Sequence, residues 1–182
     1  MRAALEGLAD VGYDSLSMEE IAIRAGVGKG AVYRRWPSKA QLVVGAMVHW
    51  REQIAPLAAP DTGTLLGDIE AIADGVPDFD ETAKRRIAVL VGLVGAAARD
   101  PQLRLALVEE GFGRPRQAIL DVLYRAETRG EIQPGVDIEL VPDIVLGLNF
   151  VRMVLGEPPD RAYIERVFRN VVYPLVTGEP PA

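Results

Sequence analysis

Apolar residues recur every three or four positions along most of the chain, which is the period of an amphipathic helix. The last segment shows this pattern well, with apolar residues on one side at Ile164, Val167, Phe168, Val171, Val172 and Leu175. No stretch has the strict alternation of a half-buried strand, and no segment repeats. The pattern therefore predicts an all-α fold of about nine helices.

Capping residues, glycines and prolines divide the pattern into segments. The predicted helices cover residues 2–11, 18–25, 28–36, 38–54, 64–74, 81–99, 101–129, 137–155 and 160–176. Gly111, Gly113 and Pro115 predict a kink or break within the seventh helix, and Pro142 predicts distorted first turns in the eighth. The prolines at 56 and 60 indicate a linker after the fourth helix.

Two short helices around a tight turn are predicted from Ser17 onward. Ser17, with Glu20 three residues later, is the pattern of a capping box at a helix start. Gly26 stands where a helix commonly ends in a left-handed conformation. A small residue at Ala22 allows two helices to cross closely, and Val32 is placed to pack the second helix on the first. This arrangement is typical of a helix-turn-helix.

The distribution of charge supports the same interpretation. The chain carries a formal net charge of -6, yet the stretch Ile21–Arg51 has no Asp or Glu. Its six basic residues are Arg24, Lys29, Arg34, Arg35, Lys39 and Arg51. A charge run is often only a solvated face. Because this one coincides with the two-helix pattern, it favours a surface that binds the phosphates of DNA.

Residues 1 to about 50 resemble the DNA-binding domain of TetR/AcrR-family transcriptional regulators. The resemblance is carried by residues 25–39, Ala-Gly-Val-Gly-Lys-Gly-Ala-Val-Tyr-Arg-Arg-Trp-Pro-Ser-Lys. Residues 129–137, Arg-Gly-Glu-Ile-Gln-Pro-Gly-Val-Asp, resemble the family's link between its seventh and eighth helices. The resemblance implies a DNA-binding domain over residues 1–53 and a helical effector-binding and dimerisation domain over residues 54–182.

The recognition helix supplies most of the residues expected to touch DNA. Lys29 at its start can reach a phosphate or a guanine edge, and the Tyr33 hydroxyl can donate to a phosphate oxygen. Gly30 lets the backbone approach the groove, and the Ala31 methyl can touch a thymine methyl. Lys39 resembles the family's phosphate anchor. The predicted DNA-binding residues are Ser17, Lys29, Gly30, Ala31, Tyr33, Arg34 and Lys39.

The remaining helices are expected to form an effector pocket and a dimer interface. The predicted pocket residues are Met47, Trp50, Leu90, Leu93, Phe112, Tyr124 and Asn149. The predicted interface residues are Leu148, Arg152, Val167, Phe168 and Val171. Asn149 and Arg152 are polar residues in an apolar helix, and either a cavity contact or a hydrogen bond across the dimer would satisfy them.

The resulting hypothesis is a cytoplasmic homodimeric regulator, a repressor that binds a pseudo-palindromic operator in double-stranded DNA and is released by a small, mostly apolar effector. The absence of cysteine and the single His49 leave no catalytic or metal-binding constellation, so no enzyme, metal or cofactor is expected. The longest apolar run, Ile87–Ala98, is shorter than the about 20 residues that cross a bilayer. Two alternatives are a constitutive DNA-binding or architectural protein without a pocket, and an all-α enzyme.

Overall fold

A computed structural model describes residues 1–54 and 59–180, and every regular element in these ranges is helical. The α-helices are α1 (Arg2–Ser15), α2 (Met18–Ala25), α3 (Lys29–Arg35), α4 (Lys39–Ile54), α5 (Leu65–Asp74), α6 (Glu81–Ala97), α7 (Pro101–Ala106), α8 (Gly113–Thr128), α9 (Val141–Val154), α10 (Arg161–Val167) and α11 (Tyr173–Thr177). A 3₁₀ turn, Ile138–Leu140, leads into α9. Counting α7 with α8 and α10 with α11 as continuous helices, nine helices lie in the described ranges, which confirms the predicted all-α fold.

Side-chain caps fix most of the helix starts that were predicted. Thr64, Asp80, Asp100 and Asp160 precede α5, α6, α7 and α10, and each accepts a hydrogen bond from a backbone N–H two or three residues later. These bonds satisfy donors that the first turn of a helix leaves without a partner. The local sequence therefore determines where these helices begin.

A π-helical segment lies where the glycines and Pro115 predicted a kink or break, and a second one lies in the last helix. Leu107–Phe112 joins α7 to α8, and Phe168–Val172 joins α10 to α11. Each segment ends just before a proline, Pro115 in α8 and Pro174 in α11. A proline has no N–H and its ring clashes with the carbonyl four residues earlier, so a wider turn lets the helix continue through it. The chain is thus helical from residue 101 to residue 128.

Gly12 divides α1 into two helical parts, and the first part ends at residue 11 as the sequence predicted. Its φ of 74° and ψ of 173° lie outside the helical region, and helical structure resumes as far as Ser15.

None of the described helices combines the length and apolar character needed to span a bilayer.

The chain divides into two compact units. The first contains residues 1–54 and 80–113, and the second contains residues 55–79 and 114–182. The predicted DNA-binding segment therefore shares its unit with α6 and α7, which follow it by some 25 residues of sequence. A functional boundary after residue 53 stays a prediction.

The core of the first unit is built around α4. Val43, Val44 and Ala46 on this helix are completely buried. Gly45 lies between them, where a side chain would meet the indole of Trp36 just after α3: an added Cβ would lie 2.6 Å from Cη2 and 2.7 Å from Cζ3. Trp36 is the C-cap of α3, so this close approach fixes the end of α3 against α4.

We expect Gly45→Ala to destabilise the protein because the rigid indole must move to admit the new methyl group. Overpacking of this kind costs about 1–3 kcal/mol. Gly95→Ala is a matched control, since Gly95 is also in a helix and a Cβ there meets nothing within 4 Å. That control should gain about 0.5–1 kcal/mol. Urea unfolding of both variants measures the difference, and equal stabilities would show that Trp36 does not restrict position 45.

The second unit has an apolar core and one buried carboxylate. The core gathers residues from α5, α8, α9 and the C-terminal helix, including Leu65, Ile69 and Val172. Asp68 of α5 is completely buried among them. Its Oδ1 accepts hydrogen bonds from the Thr62 N–H at 2.7 Å and the Thr62 hydroxyl at 2.9 Å. Its Oδ2 accepts from the Arg129 guanidinium at 3.1 Å.

Arg129 and Glu131 join this carboxylate to the start of α5. The Arg129 guanidinium also pairs with Glu131, and this partner raises the Arg129 pKa above its ordinary value. Glu131 in turn accepts from the Leu65 N–H at 2.6 Å. Gln133 donates its backbone N–H to the Val176 carbonyl at 2.8 Å. Residues 129–133 therefore tie α5 and α11 to the end of α8.

Candidate nucleic-acid interface

The turn between α2 and α3 has helix-turn-helix geometry. The Ser17 hydroxyl accepts from the Glu20 N–H at 3.1 Å, as predicted for the helix start. Gly26 is left-handed, with φ 66° and ψ 30°, and the Val27 N–H donates to the Ala22 carbonyl at 3.1 Å. This six-residue closure is the Schellman motif. The capping box is half formed, because the Glu20 carboxylate pairs with Arg24 at 3.1 Å instead of closing on Ser17.

The packing of these two helices leaves one face of α3 in solvent. Ala22 of α2 and Val32 of α3 are buried. The predicted contact residues on α3, Lys29, Gly30, Ala31, Tyr33 and Arg34, are all exposed. The structure thus brings five of the seven predicted DNA-binding residues to the surface of one short helix. Ser17 is half-buried as the cap of α2.

An acidic residue that the sequence reasoning did not include lies against this face. Glu19, in the first turn of α2, forms an ion pair with Lys29 and accepts from the Tyr33 hydroxyl at 3.4 Å. The Lys29 ammonium also lies 5.5 Å from the Tyr33 ring centroid. Lys29 holds the Glu19 pKa below its ordinary value, and Glu19 raises the Lys29 pKa, so both groups are charged at neutral pH. Glu19 stands just outside the acid-free stretch that begins at Ile21.

The arginines near the turn differ in their surroundings. Arg24 is held by Asp10 at 2.6 Å and Glu20 at 3.1 Å, which assigns it to the contact between α1 and α2. Arg34 is exposed and forms no ion pair within residues 1–54 and 59–180. Arg35 lies 5.9 Å from the Trp36 ring. Arg34 is therefore the arginine best placed to meet a phosphate or a base edge.

The Lys39 side chain does not extend freely towards solvent as a phosphate anchor would. Its ammonium donates to the Tyr13 carbonyl at 2.8 Å and lies 4.2 Å from the Tyr13 ring centroid. The Tyr13 hydroxyl donates to Asp100 at 2.7 Å, and this bond lowers the Asp100 pKa. In this conformation Lys39 links α4 to α1, and contact with a phosphate would require it to leave Tyr13.

The predicted pocket residues fall into both units. Met47, Trp50 and Leu93 are buried in the first unit, where Leu90 and Phe112 are half-buried. Tyr124 of the second unit is exposed, donates its hydroxyl to Glu139 and does not line the cavity around Asn149. Asn149 lines a cavity in the second unit.

The cavity around Asn149 has a volume of about 340 Å³ and lies among α5, α8, α9 and α10. Its lining includes Ile72, Ile119, Val145 and Phe168 and contains no charged side chain. The Asn149 Oδ1 is buried and has no hydrogen-bond partner. The cavity is thus apolar with one polar group that lacks a partner. A second cavity, of about 500 Å³, lies between α1 and α6 in the first unit and is lined in part by Leu93.

The predicted dimer residues are only partly available at the surface. Val167 and Phe168 are buried in the core of their own unit, so we assign them to the core instead of the interface. Arg152 is held within its chain by the Pro158 carbonyl at 2.9 Å and by Glu157 at 2.6 Å. Leu148 packs against the core.

Exposed apolar side chains lie beside these residues on the same helices. Val171, from the predicted set, is 40% exposed, and Leu175 one turn later is 42% exposed. Val151 and Val154 at the end of α9 are 56% and 55% exposed, and the C-cap residue Leu155 is 73% exposed. They occupy the i, i+3 and i+4 positions of one helical stripe.

Among the described residues, no cluster of three acidic or histidine side chains could hold a metal ion.

Comparison with known proteins agrees with this geometry. Residues 1–46 match the family described as bacterial regulatory proteins of the tetR family. Residues 59–171 match the tetracyclin repressor-like C-terminal domain. These matches and the helix-turn-helix define a DNA-binding transcriptional regulator. The chain belongs to the TetR family.

Similar proteins span nearly the whole chain. An uncharacterized HTH-type transcriptional regulator of Mycobacterium tuberculosis is 29% identical over 179 residues, covering 97% of this chain and 86% of the relative. The DNA-binding transcriptional repressor TetR of Mycobacteroides abscessus is 29% identical over 186 residues, covering 97% and 91%. The crystal structure of the TetR family transcription regulator SCO0332 has a TM-score of 0.68 and 29% identity, covering 93% of this chain and 92% of that one.

Proposed function

We propose that this protein is a ligand-responsive repressor that binds a pseudo-palindromic operator as a homodimer and is released by a small, uncharged and mostly apolar molecule. The observation that carries the proposal is the exposed face of α3, with Lys29, Tyr33 and Arg34 on a short helix whose other side is buried against α2. Two such helices in a dimer would enter successive major grooves about one helical turn apart.

The cavity of the second unit supports response to a ligand. Its 340 Å³ volume lies within the range of about 300–1,000 Å³ typical of small-molecule sites. An uncharged lining disfavours a charged ligand, because burial of an unpaired charge is costly. The Asn149 amide favours a ligand with one hydrogen-bond donor, from which the buried Oδ1 would accept. A constitutive DNA-binding protein would have no need of such a cavity.

The exposed apolar stripe of α9 and the exposed Val171 and Leu175 support self-association. Large apolar side chains grouped on one surface commonly mark an interface. A two-fold axis would bring the same stripe of two copies together as an isologous contact, in the manner of a four-helix bundle. The repressor of Mycobacteroides abscessus, similar over most of both chains, is consistent with a repressing role.

Fluorescence anisotropy with duplexes tiling the DNA around the protein's own gene tests the proposal. We expect one duplex to bind saturably, two chains to each duplex, with an affinity that falls steeply as salt rises. A screen of uncharged small molecules should then find one that releases the wild type, while Asn149→Leu should respond more weakly although it binds the duplex equally well.

Two other outcomes would contradict the proposal. Saturable binding that no ligand of this class relieves would favour the constitutive alternative. Absence of binding to the tiled duplexes and to random duplexes alike would exclude the DNA-binding proposal for this surface.

A further inference from the structure

The Glu19 carboxylate occupies a position where a DNA-binding surface would be expected to carry positive charge. It lies within contact distance of Lys29 and Tyr33, two of the residues that the proposed operator contact requires. Its side chain is 47% exposed and that of Lys29 is 61% exposed, so solvent and a duplex can reach the pair. Any duplex that uses Lys29 or Tyr33 must therefore also meet Glu19.

A carboxylate at this position affects different DNA sequences unequally. Every duplex presents phosphates, which Glu19 repels and which must compete with it for the Lys29 ammonium. At a given base position only cytosine presents the N4 amino group in the major groove, and this is the donor that suits a glutamate. A duplex without this donor leaves the carboxylate next to DNA with no partner except Lys29.

We propose that Glu19 is a specificity-determining residue that weakens binding to non-operator DNA by holding the Lys29 ammonium and the Tyr33 hydroxyl. On the operator the carboxylate receives a base-edge donor, and both side chains are free to contact DNA. Specificity is then obtained partly by an element that is unfavourable with the wrong partner. This inference rests on the proposed operator-binding function, and it adds a role for a residue of α2, outside the recognition helix.

Glu19→Gln in the full chain tests the inference, because the amide keeps the shape of the side chain and removes its charge. Binding is measured by anisotropy on the operator and on a shuffled duplex of the same composition, across a salt series. We expect the affinity for the shuffled duplex to rise about three- to tenfold at low ionic strength. For this duplex, the slope of log affinity against log salt concentration should become steeper by about one for each protomer, because Lys29 is then free to bind a phosphate. The operator affinity should change less, so the ratio of operator affinity to shuffled-duplex affinity falls.

Glu6→Gln is the matched control. Glu6 lies on α1, pairs at 3.6 Å with the exposed Arg2, and gives the same change in net charge on substitution. Thermal unfolding of both variants confirms that they are folded. The inference is overturned if Glu19→Gln shifts both duplexes by one common factor, if it weakens both, or if it acts no differently from Glu6→Gln. Failure of the wild type to bind any duplex would instead reject the proposed function itself.

Discussion

Simultaneous replacement of Lys29 and Tyr33 by alanine is expected to weaken operator binding by about 100-fold for each protomer, which is about 10⁴-fold for a dimer. Each side chain can make one charge-assisted hydrogen bond to DNA, worth about 1.5 kcal/mol, and together they correspond to about two orders of magnitude in affinity. Loss of the Lys29 ammonium should also make the salt dependence shallower by about 0.9 for each protomer. Anisotropy titrations of the operator between low and moderate salt measure both quantities.

The double variant should fold normally, since both side chains are exposed and α3 is held by Val32 and Trp36. Lys84→Ala provides the control for net charge: Lys84 lies on α6, is exposed, and pairs with Glu81 at 2.7 Å. Its operator affinity should stay within about twofold of the wild type if charge acts locally. Equal losses in the two variants would mean that overall charge, and not the face of α3, governs binding.

Arg129→Ala is expected to destabilise the protein by about 3–5 kcal/mol, because it leaves the completely buried Asp68 carboxylate without a cationic partner. For a chain of this size such a loss lowers the midpoint of thermal unfolding by roughly 6–20 °C. Calorimetry or circular dichroism measures the change. Arg129→Lys should recover only part of the stability, since one ammonium group cannot replace the contacts that the guanidinium makes with both Asp68 and Glu131.

Two further variants test whether the effect of Arg129→Ala comes from the burial of Asp68 or only from the loss of an ion pair. Arg161→Ala removes an exposed pair with Asp74 in the same unit and should cost at most about 1 kcal/mol. Asp68→Asn combined with Arg129→Gln removes both charges and should be more stable than Arg129→Ala alone, because no charge is then buried without a partner. If Arg129→Ala costs no more than Arg161→Ala, the cationic partner of Asp68 does not contribute the stability expected for a buried ion pair.

The all-α fold and most helix starts could be predicted because they depend on local chemistry. Apolar periodicity gave the helices, and capping side chains such as Asp80 and Asp100 act within two or three residues of themselves. The kink or break predicted near Pro115 takes the form of a π-helical turn, which lets the helix continue through the proline. Sequence shows that a proline must disturb a helix, but the surrounding packing decides how.

The exposed face of α3 that is proposed to bind DNA could also be predicted from the sequence, since Lys29 to Arg34 and the turn at Gly26 are contiguous. The surroundings of residues whose partners are distant in the sequence could not be predicted. Lys39 matched a phosphate anchor, whereas the folded chain places its ammonium on Tyr13, 26 residues away in sequence. Val167 has the spacing of an interface residue but is buried in the core. The sequence does not distinguish the two cases, because an apolar stripe on a helix can face either the core or a partner chain.

The sequence by itself thus determined the helices, the turn and the basic recognition helix, whose causes lie within a few residues of one another. Tertiary structure alone decided which charges that are distant in the sequence meet. It placed Glu19 against Lys29 and Tyr33, buried Asp68 beneath Arg129, and left the Asn149 Oδ1 without a partner in a cavity. Pairing between helices depends on how their axes cross and on which face each one buries, and a linear pattern of residue types does not specify that geometry.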